Sequence, residues 1–466
     1  MIEPKLYPGI NEFNRKSSKL MHIDLNSCFA SIEQQANPKL RGLPTVVAAY
    51  PTDGGCILAA SVEAKKLGIK TGMRVKEARN IYRDVKILPP DPPKYRYVHQ
   101  QMMKVFETYT PNVEPKSIDE AVLEFGEFAE SDSACGNPQR ERPARQSLTL
   151  KASAGGGLAL SESFTSDRQR PQQNPIENSP LRSTAFEIKQ RIKSEIGEWL
   201  TVSIGLGPNR FLAKTAASIK KPDGLEEINF LNVENQFMRL ELTDLCGINK
   251  ALKLRLNLVG IFTPVEFLHA DFSTLKTAFK SVGAYHWYKR LRGFETDDWR
   301  SSRKSIGHSY ALPNKTSQIK ELSNILYRLC EKVGRRLRSN GYEAGGINLN
   351  LVYEDWAHSQ HSHKLSQPVF ASMDIYHEAL KVLTTSLKEN KVRNLAVSVF
   401  NLSNFLYRQQ SLFDNEYKKE SLVKALDQIN NKYGEFTITA APLIEMKRKI
   451  LDRISFGGIV DMETVI

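Results

Sequence analysis

The chain is poor in cysteine: five in 466 residues, Cys28, Cys56, Cys135, Cys246 and Cys330, with no CxxC pair. That scatter offers neither a disulfide framework nor a zinc module, so reduced thiols are expected. Long apolar runs are also missing, none approaching the roughly 20 residues of a membrane-spanning helix. The N-terminal MIEPKLYPGINEFNRKSSK has no apolar stretch after its charges, as a secretory signal would require. A soluble, cytoplasmic protein without membrane contact is expected. There is no internal repeat. What is in excess is basic charge, with 65 Lys and Arg against 52 Asp and Glu, a formal net of +13. Such a balance points to a polyanion, nucleic acid ahead of an anionic membrane surface. The length suits roughly three domains.

Residues 131–180 break the pattern. They are rich in Ser, Gln, Pro, Gly and Arg, hold the run Gly155, Gly156, Gly157 and a single aromatic, Phe164. Such a segment cannot bury enough apolar surface to fold, and a disordered insertion is expected. With six basic and five acidic residues, it contributes almost nothing to the net charge, which therefore belongs to the parts that fold.

Ahead of it, LMHIDLNSCFASIEQQA reads as a strand with Met21, Ile23 and Leu25 on one face and Asp24 on the other, followed by a helix capped at Asn26 or Ser27. A strand from Pro44 to Tyr50, another from Cys56 to Ala60 and the helix SVEAKKLG follow. After the proline-rich LPPDPPKY, a helix spans about 96–109. VEPKSIDEAVLEF reads as a strand pair, Ser183–Leu200 as a helix, and TVSIGLGPNRFLAKTAASIKKPDG as strand, glycine turn and helix, with Pro208 suited to the first turn. From Leu225 to Gly293 short helices dominate. From Lys304 to Asn404 two helices alternate with strands, an α+β pattern.

Asp24, Asp119 and Glu120 are the strongest chemical constellation. Three carboxylates at neighbouring strand ends could hold two Mg²⁺ ions, as phosphoryl transfer requires, or could be solvated acids. Adjacent residues on a regular strand point to opposite faces, so Asp119 and Glu120 converge only where the backbone bends. Pro115, Lys116 and Ser117 make such a bend plausible.

DLNSCFASIE, SIDEAVLEF and IGLGPNRFLAKTAASIKKPDG, in this order, resemble the Y-family translesion DNA polymerases over about residues 20–126 and 183–413. The DxN form at Asp24 and Asn26, with EAKKLG, is nearer the UmuC-like side. The resemblance implies a multidomain α+β right-hand polymerase: palm at 1–27, 86–130 and 181–224; fingers at 28–85; helical thumb at 225–293; a linker at 294–303; an α+β little finger at 304–404; and a C-terminal tail at 405–466. It implies that Asp24, Asp119 and Glu120 are catalytic, and that they bind Mg²⁺ together with the Leu25 carbonyl. Phe29 would be the steric gate against a ribose 2′-hydroxyl. Asn26, Cys28, Phe29, Lys65, Arg210 and Lys214 would form the dNTP site. Cys28 reads as packing rather than a reactive thiol, and Val62 stands where many relatives have a tyrosine on the triphosphate. Gly205 and Gly207 would permit close backbone approach, and Arg210 and Lys214, one turn apart, would present two cations on one face.

LCGINKALKLRLNLVGI resembles a helix-hairpin-helix holding a DNA phosphate near Gly247 and Asn249, the latter replacing the usual second glycine. Arg303, Lys304, Arg335 and Arg336 are further expected phosphate contacts, supplying sequence-independent affinity. His358, His361 and His363 have no matching cysteine and are not read as a metal site. QQSLF resembles a bacterial sliding-clamp binding peptide, with Gln409 in a polar pocket and Leu412 and Phe413 in a hydrophobic one. The implied protein is a monomeric, error-prone polymerase acting on primer–template DNA and dNTPs. Two rivals remain: a catalytically inactive scaffold binding DNA and the clamp, and a metal-dependent cyclase with a similar palm.

Overall fold

The computed structural model describes residues 13–126, 179–297, 303–404, 416–434, 436–441 and 443. Residues 131–178, the peptide at Gln409, Leu412 and Phe413, and the tail beyond Leu443 lie outside the described residues.

In chain order the elements begin with β1 (Leu20–Leu25), α1 (Cys28–Ala36), β2 (Thr45–Ala48), β3 (Ile57–Ala60), α2 (Val62–Lys66), α3 (Val75–Ile81), β4 (Lys86–Leu88) and α4 (Pro92–Glu107). Then follow β5 (Val113–Pro115), β6 (Glu120–Glu124), α5 (Pro180–Arg191), β7 (Val202–Gly207), α6 (Arg210–Ile219) and β8 (Leu225–Glu227). Short helices come next: α7 (Val233–Phe237), α8 (Lys250–Asn257), α9 (Pro264–His269), α10 (Phe272–Phe279) and α11 (Gly283–Leu291). The last group is β9 (Ser305–Thr316), α12 (Ile319–Ser339), β10 (Tyr342–Tyr353), β11 (His358–Val369), α13 (Ser372–Ser386), β12 (Val392–Asn404) and α14 (Glu416–Tyr433). This is the expected α+β, multidomain fold.

The central sheet has the order β5-β6-β1-β7-β8. Alternation along β1 puts Met21, Ile23 and Leu25, all at most 1% exposed, into a core shared with α1, α4 and α5. Leu20, His22 and Asp24 take the other face, where Leu20 packs with Val122 of β6 and Ala213 of α6. Helix α6 lies close against that face because Gly205 and Gly207 carry no side chain: a Cβ on Gly205 would overlap the Ala213 carbonyl and the Ala217 amide. The expected close backbone approach is thus that of a helix packing on its own sheet, not of a phosphate.

Several boundaries differ from expectation, among them α4, expected at about 96–109, which starts at Pro92 inside the proline-rich stretch and ends at Glu107. Leu225–Glu227 pairs in parallel with β7 as an edge strand rather than opening the helical region; three residues are too few to show periodicity. The helix expected at Ser183–Leu200 starts at Pro180, capped by Ser179, and ends at Arg191. A π-helical turn over Ile192–Ile196 follows it. The smaller sheet β3-β2-β4 carries α2 and α3, and α7–α11 bury a core around Phe237, Phe267 and Trp287. The sheet β11-β10-β12-β9 is covered on one face by α12 and α13. No described helix is long and apolar enough to cross a membrane.

Candidate active site

Asp24 on β1 and Glu120 on β6 are direct cross-strand partners, so their side chains rise together on the α6 face of the sheet. Asp119 lies just before β6, in a bend where the Lys116 and Ser117 amides both donate to the Glu120 carbonyl. The sheet pleat does not apply there, and the Asp119 backbone carbonyl accepts from the Leu25 amide at 2.8 Å. The expected bend is present. It brings the Asp119 charge near enough to act on Asp24, Cys28 and Lys65.

Three lysines meet these acids. Lys221, in the turn after α6, donates to Asp24 Oδ2 at 2.6 Å. Lys214, on α6, donates to Glu120 Oε2 at 2.7 Å. Lys65, on α2, feels both Asp24 and Asp119, and burial holds its ammonium below the ordinary value. Burial pushes the Asp24 carboxyl up to about 6, against the pull of Lys221 and with the help of Glu120 and Asp119. Burial also works against ionisation of Glu120, but the Lys214 hydrogen bond and charge outweigh it and hold this carboxyl below its usual range. Acids and ammonium groups in one pocket can hold divalent cations and a polyphosphate together.

The donor set itself fits a divalent cation. One ligand atom each from His22, Asp24 and Glu120 lies within 4.8 Å of the others. The group differs from the expected Asp24, Asp119, Glu120 trio. His22 joins it, whereas the Asp119 carboxylate stands outside and accepts from the Ser117 hydroxyl. His22 is 2% exposed and burial pushes its imidazole down to about 4. Sequence reasoning missed His22, although its place two residues before Asp24 puts it on the same strand face. It also missed Lys221, one of several lysines in a basic turn whose partner is 197 residues away in sequence.

The other expected residues have the following neighbours. The Asn26 amide donates to Thr201 and accepts from the Ser203 hydroxyl, which ties the end of β1 to the strand beside it. Cys28 and Phe29, each 5% exposed, open α1. The Phe29 ring stacks on Tyr95 with centroids 4.4 Å apart, and burial pushes the Cys28 thiol up, which suits packing. Arg210 is turned away from Asp24 and Glu120: its guanidinium pairs with Glu114 and Glu295, so the two cations one turn apart on α6 serve different acids.

Gly247, at φ +95°, turns the chain before α8 beside Trp287, and Asn249 caps α8 by accepting from the Leu252 amide. Arg303 and Lys304 precede β9. Arg335 donates to Asn431 of α14 and Arg336 to the Gly307 carbonyl. Both sit on α12, on the face of the sheet opposite Ser362, Lys364 and Ser398, which line an open groove of about 520 Å³ with Ser305, Asn348 and Phe400.

The impB/mucB/samB family matches residues 23–218, and the C-terminal domain of that family matches residues 303–412. DNA polymerase IV of Moorella thermoacetica is 32% identical over 428 residues, covering 91% of this chain and 95% of its own. DNA polymerase IV of Pelotomaculum thermopropionicum is 30% identical and likewise covers 91% of this chain. DNA polymerase IV 1 of Bacillus subtilis is 28% identical over 451 residues. Among solved structures, a Y-family DNA polymerase chimera of Dbh and Dpo4 aligns at 23% identity with a TM-score of 0.63. It covers 82% of this chain and 98% of its own. The matches are to the family as a whole and do not single out its UmuC-like side.

Proposed function

The chain belongs to the impB/mucB/samB family of Y-family DNA polymerases, and on that footing we propose that this DNA-directed DNA polymerase is error-prone. It would carry out translesion synthesis by two-metal nucleotidyl transfer. One observation carries the reading: Asp24 and Glu120 stand side by side, with Asp119 next to them, and Lys65, Lys214 and Lys221 converge on the same pocket. A scaffold would have no use for half-buried carboxylates set side by side, which cost free energy to keep charged.

In this reading Asp24, Asp119, Glu120 and the Leu25 carbonyl bind two Mg²⁺ ions. When bound, the ions lower the pKa of the primer 3′-hydroxyl and neutralise the pyrophosphate leaving group. Lys65 and Lys214 hold the triphosphate, Lys214 exchanging its Glu120 partner for phosphate oxygens. Phe29, braced by Tyr95, excludes a 2′-hydroxyl. The unit around Gly247 and Asn249 and the groove beside Lys364 hold primer–template phosphates. QQSLF supports a sliding-clamp partner, with Gln409, Leu412 and Phe413 as its anchors.

Primer extension on undamaged and abasic templates tests the proposal. The wild-type protein is expected to extend both with Mg²⁺ and dNTPs without 3′-exonuclease products, and Asp119→Ala to extend neither. Extension confined to undamaged templates would remove the translesion role, and equal extension by Asp119→Ala would remove the catalytic assignment.

A further inference from the structure

Trp356 stands at the tip of the β10–β11 hairpin and is 62% exposed. A single exposed apolar side chain is ordinary, but the pose of this one is not. The Arg393 guanidinium lies over the indole, its central carbon 3.8 Å from the ring centroid. One π-face is thus covered by a cation, and the exposure belongs to the other face and the edge. The backbone at Trp356 is left-handed, with φ +68°, a conformation rare for a bulky residue and concentrated where ligands are held. The tip is pinned in this shape: the Trp356 amide donates to the Tyr353 carbonyl at 3.1 Å, and Asp355 accepts from the Ala357 amide and the Asn390 side chain. The other acid of the tip, Glu354, is paired with Lys315. Among the described residues Arg393 has no carboxylate partner, and the indole is its neighbour.

The stack lies on the open face of the β9–β12 sheet. Val392 and Leu395 both belong to the core on the helix side, and β12 is bulged between Val392 and Asn394 against both of its neighbours. The extra residue leaves Arg393 and Asn394 to the face that Ser398 and Phe400 share. Asn394 is about 13 Å along the strand from Ser398 in the groove, at ~3.3 Å per residue. A nucleic-acid strand held in the groove, advancing ~3.4 Å per nucleotide, reaches the stack about four nucleotides on. We propose that the Trp356–Arg393 stack is a platform for one unpaired nucleobase of the template overhang. Paired bases already stack on both faces and offer none to an indole, and the overhang is the one unpaired stretch of a primer–template. Stacking is tolerant of sequence because every base has a π-face, as copying of any template requires. The inference rests on the primer–template groove of the proposed function and adds a base-binding site at one end of it.

The test is photocrosslinking of the full-length chain to primer–templates that carry 5-iodouracil at one position at a time. The wild-type protein is expected to crosslink through Trp356, identified by mass spectrometry of the digest, when the iodouracil stands in the overhang, and not when the same base is paired. In fluorescence anisotropy, Trp356→Leu is expected to bind an overhang-bearing primer–template roughly 5- to 150-fold more weakly, the loss of one stacked base, and blunt duplex within about twofold of wild type. Trp356→Phe, which keeps an aromatic face, should recover most of the difference. Absence of a Trp356 crosslink at every overhang position overturns the platform and leaves the groove standing, as does a Trp356→Leu variant that binds both DNAs as wild type does or loses both equally. Failure of the wild type to bind blunt duplex at all overturns the groove itself. The wild-type crosslink needs no variant, so a misfolded substitution does not shield the proposal.

Discussion

Asp24 and Glu120 face each other across the antiparallel β1–β6 pair, and each is bonded by a different lysine from one stretch of chain, Lys221 at 2.6 Å and Lys214 at 2.7 Å. Two carboxylates placed this close repel unless cations lie between or above them. The lysines supply that charge and present ammonium groups where a polyphosphate would lie.

The pH dependence of stability follows from Asp24. Its carboxyl, normally near 3.8, is pushed up to about 6 chiefly by burial, so the folded state resists its ionisation. The stabilising contribution of the protonated form is fully present below pH 3.8 and is lost as pH rises through about 6. Asp24→Asn is therefore expected to raise thermal stability at pH 8, by on the order of 2–3 kcal/mol. The gain should vanish by pH 4, and primer extension should be abolished at every pH. Melting temperatures of both proteins across pH 4–8 check this; a gain that grows toward low pH would contradict it.

Lys214→Ala is expected to raise the KM for dNTPs about 10- to 100-fold, the loss of one charge-assisted contact, with a small effect on folding. The substitution also removes the group that keeps the Glu120 carboxyl below its usual range, so the acid limb of the pH–rate profile should move upward. Steady-state kinetics with varied dNTP and pH reads both effects.

Arg210 makes the opposite prediction. Its guanidinium, 15% exposed, joins Glu114 of β5 to Glu295, which lies beyond α11. Arg210→Ala should cost on the order of 3 kcal/mol by leaving acids unpaired, while the KM for dNTPs stays within about twofold. A large rise in KM without loss of stability would restore the triphosphate role expected from its helix position.

Phe29→Leu is expected to raise the ratio of ribonucleotide to deoxynucleotide incorporation by tenfold or more, about 1.4 kcal/mol of lost discrimination. Leucine retains most of the buried volume but loses the stack on Tyr95, so a modest fall in melting temperature should accompany it. Unchanged sugar selection would show the ring to be packing alone.

DNA affinity separates the two faces of the β9–β12 sheet. Lys364→Ala, in the groove, should weaken primer–template binding and lower the salt slope by about one. Arg335→Ala should leave both unchanged, because Arg335 is bonded to Asn431 of α14. Fluorescence anisotropy at several salt concentrations distinguishes them.

The local pattern was legible where one strand or helix decides its own geometry. Alternation along β1 separated Met21, Ile23 and Leu25 from Asp24. The run Pro115 to Ser117 marked the bend before Glu120, and the caps and glycines marked helix ends such as Gly68. Motif order was enough for the family. What the chain could not reveal in one dimension is which charges meet. Arg210 and Lys214 share a helix face, yet one finds Glu114 and Glu295 and the other Glu120, because acids from distant segments are brought to them by sheet order and helix packing. Lys221 reaches Asp24 across 197 residues for the same reason. His22 becomes buried, with no hydrogen-bond partner at Nε2, only in the assembled sheet. Residue type and spacing set backbone preference locally, within a turn or a strand. Burial and pairing, which set the chemistry of an ionisable group, depend on neighbours that only the assembled sheet supplies.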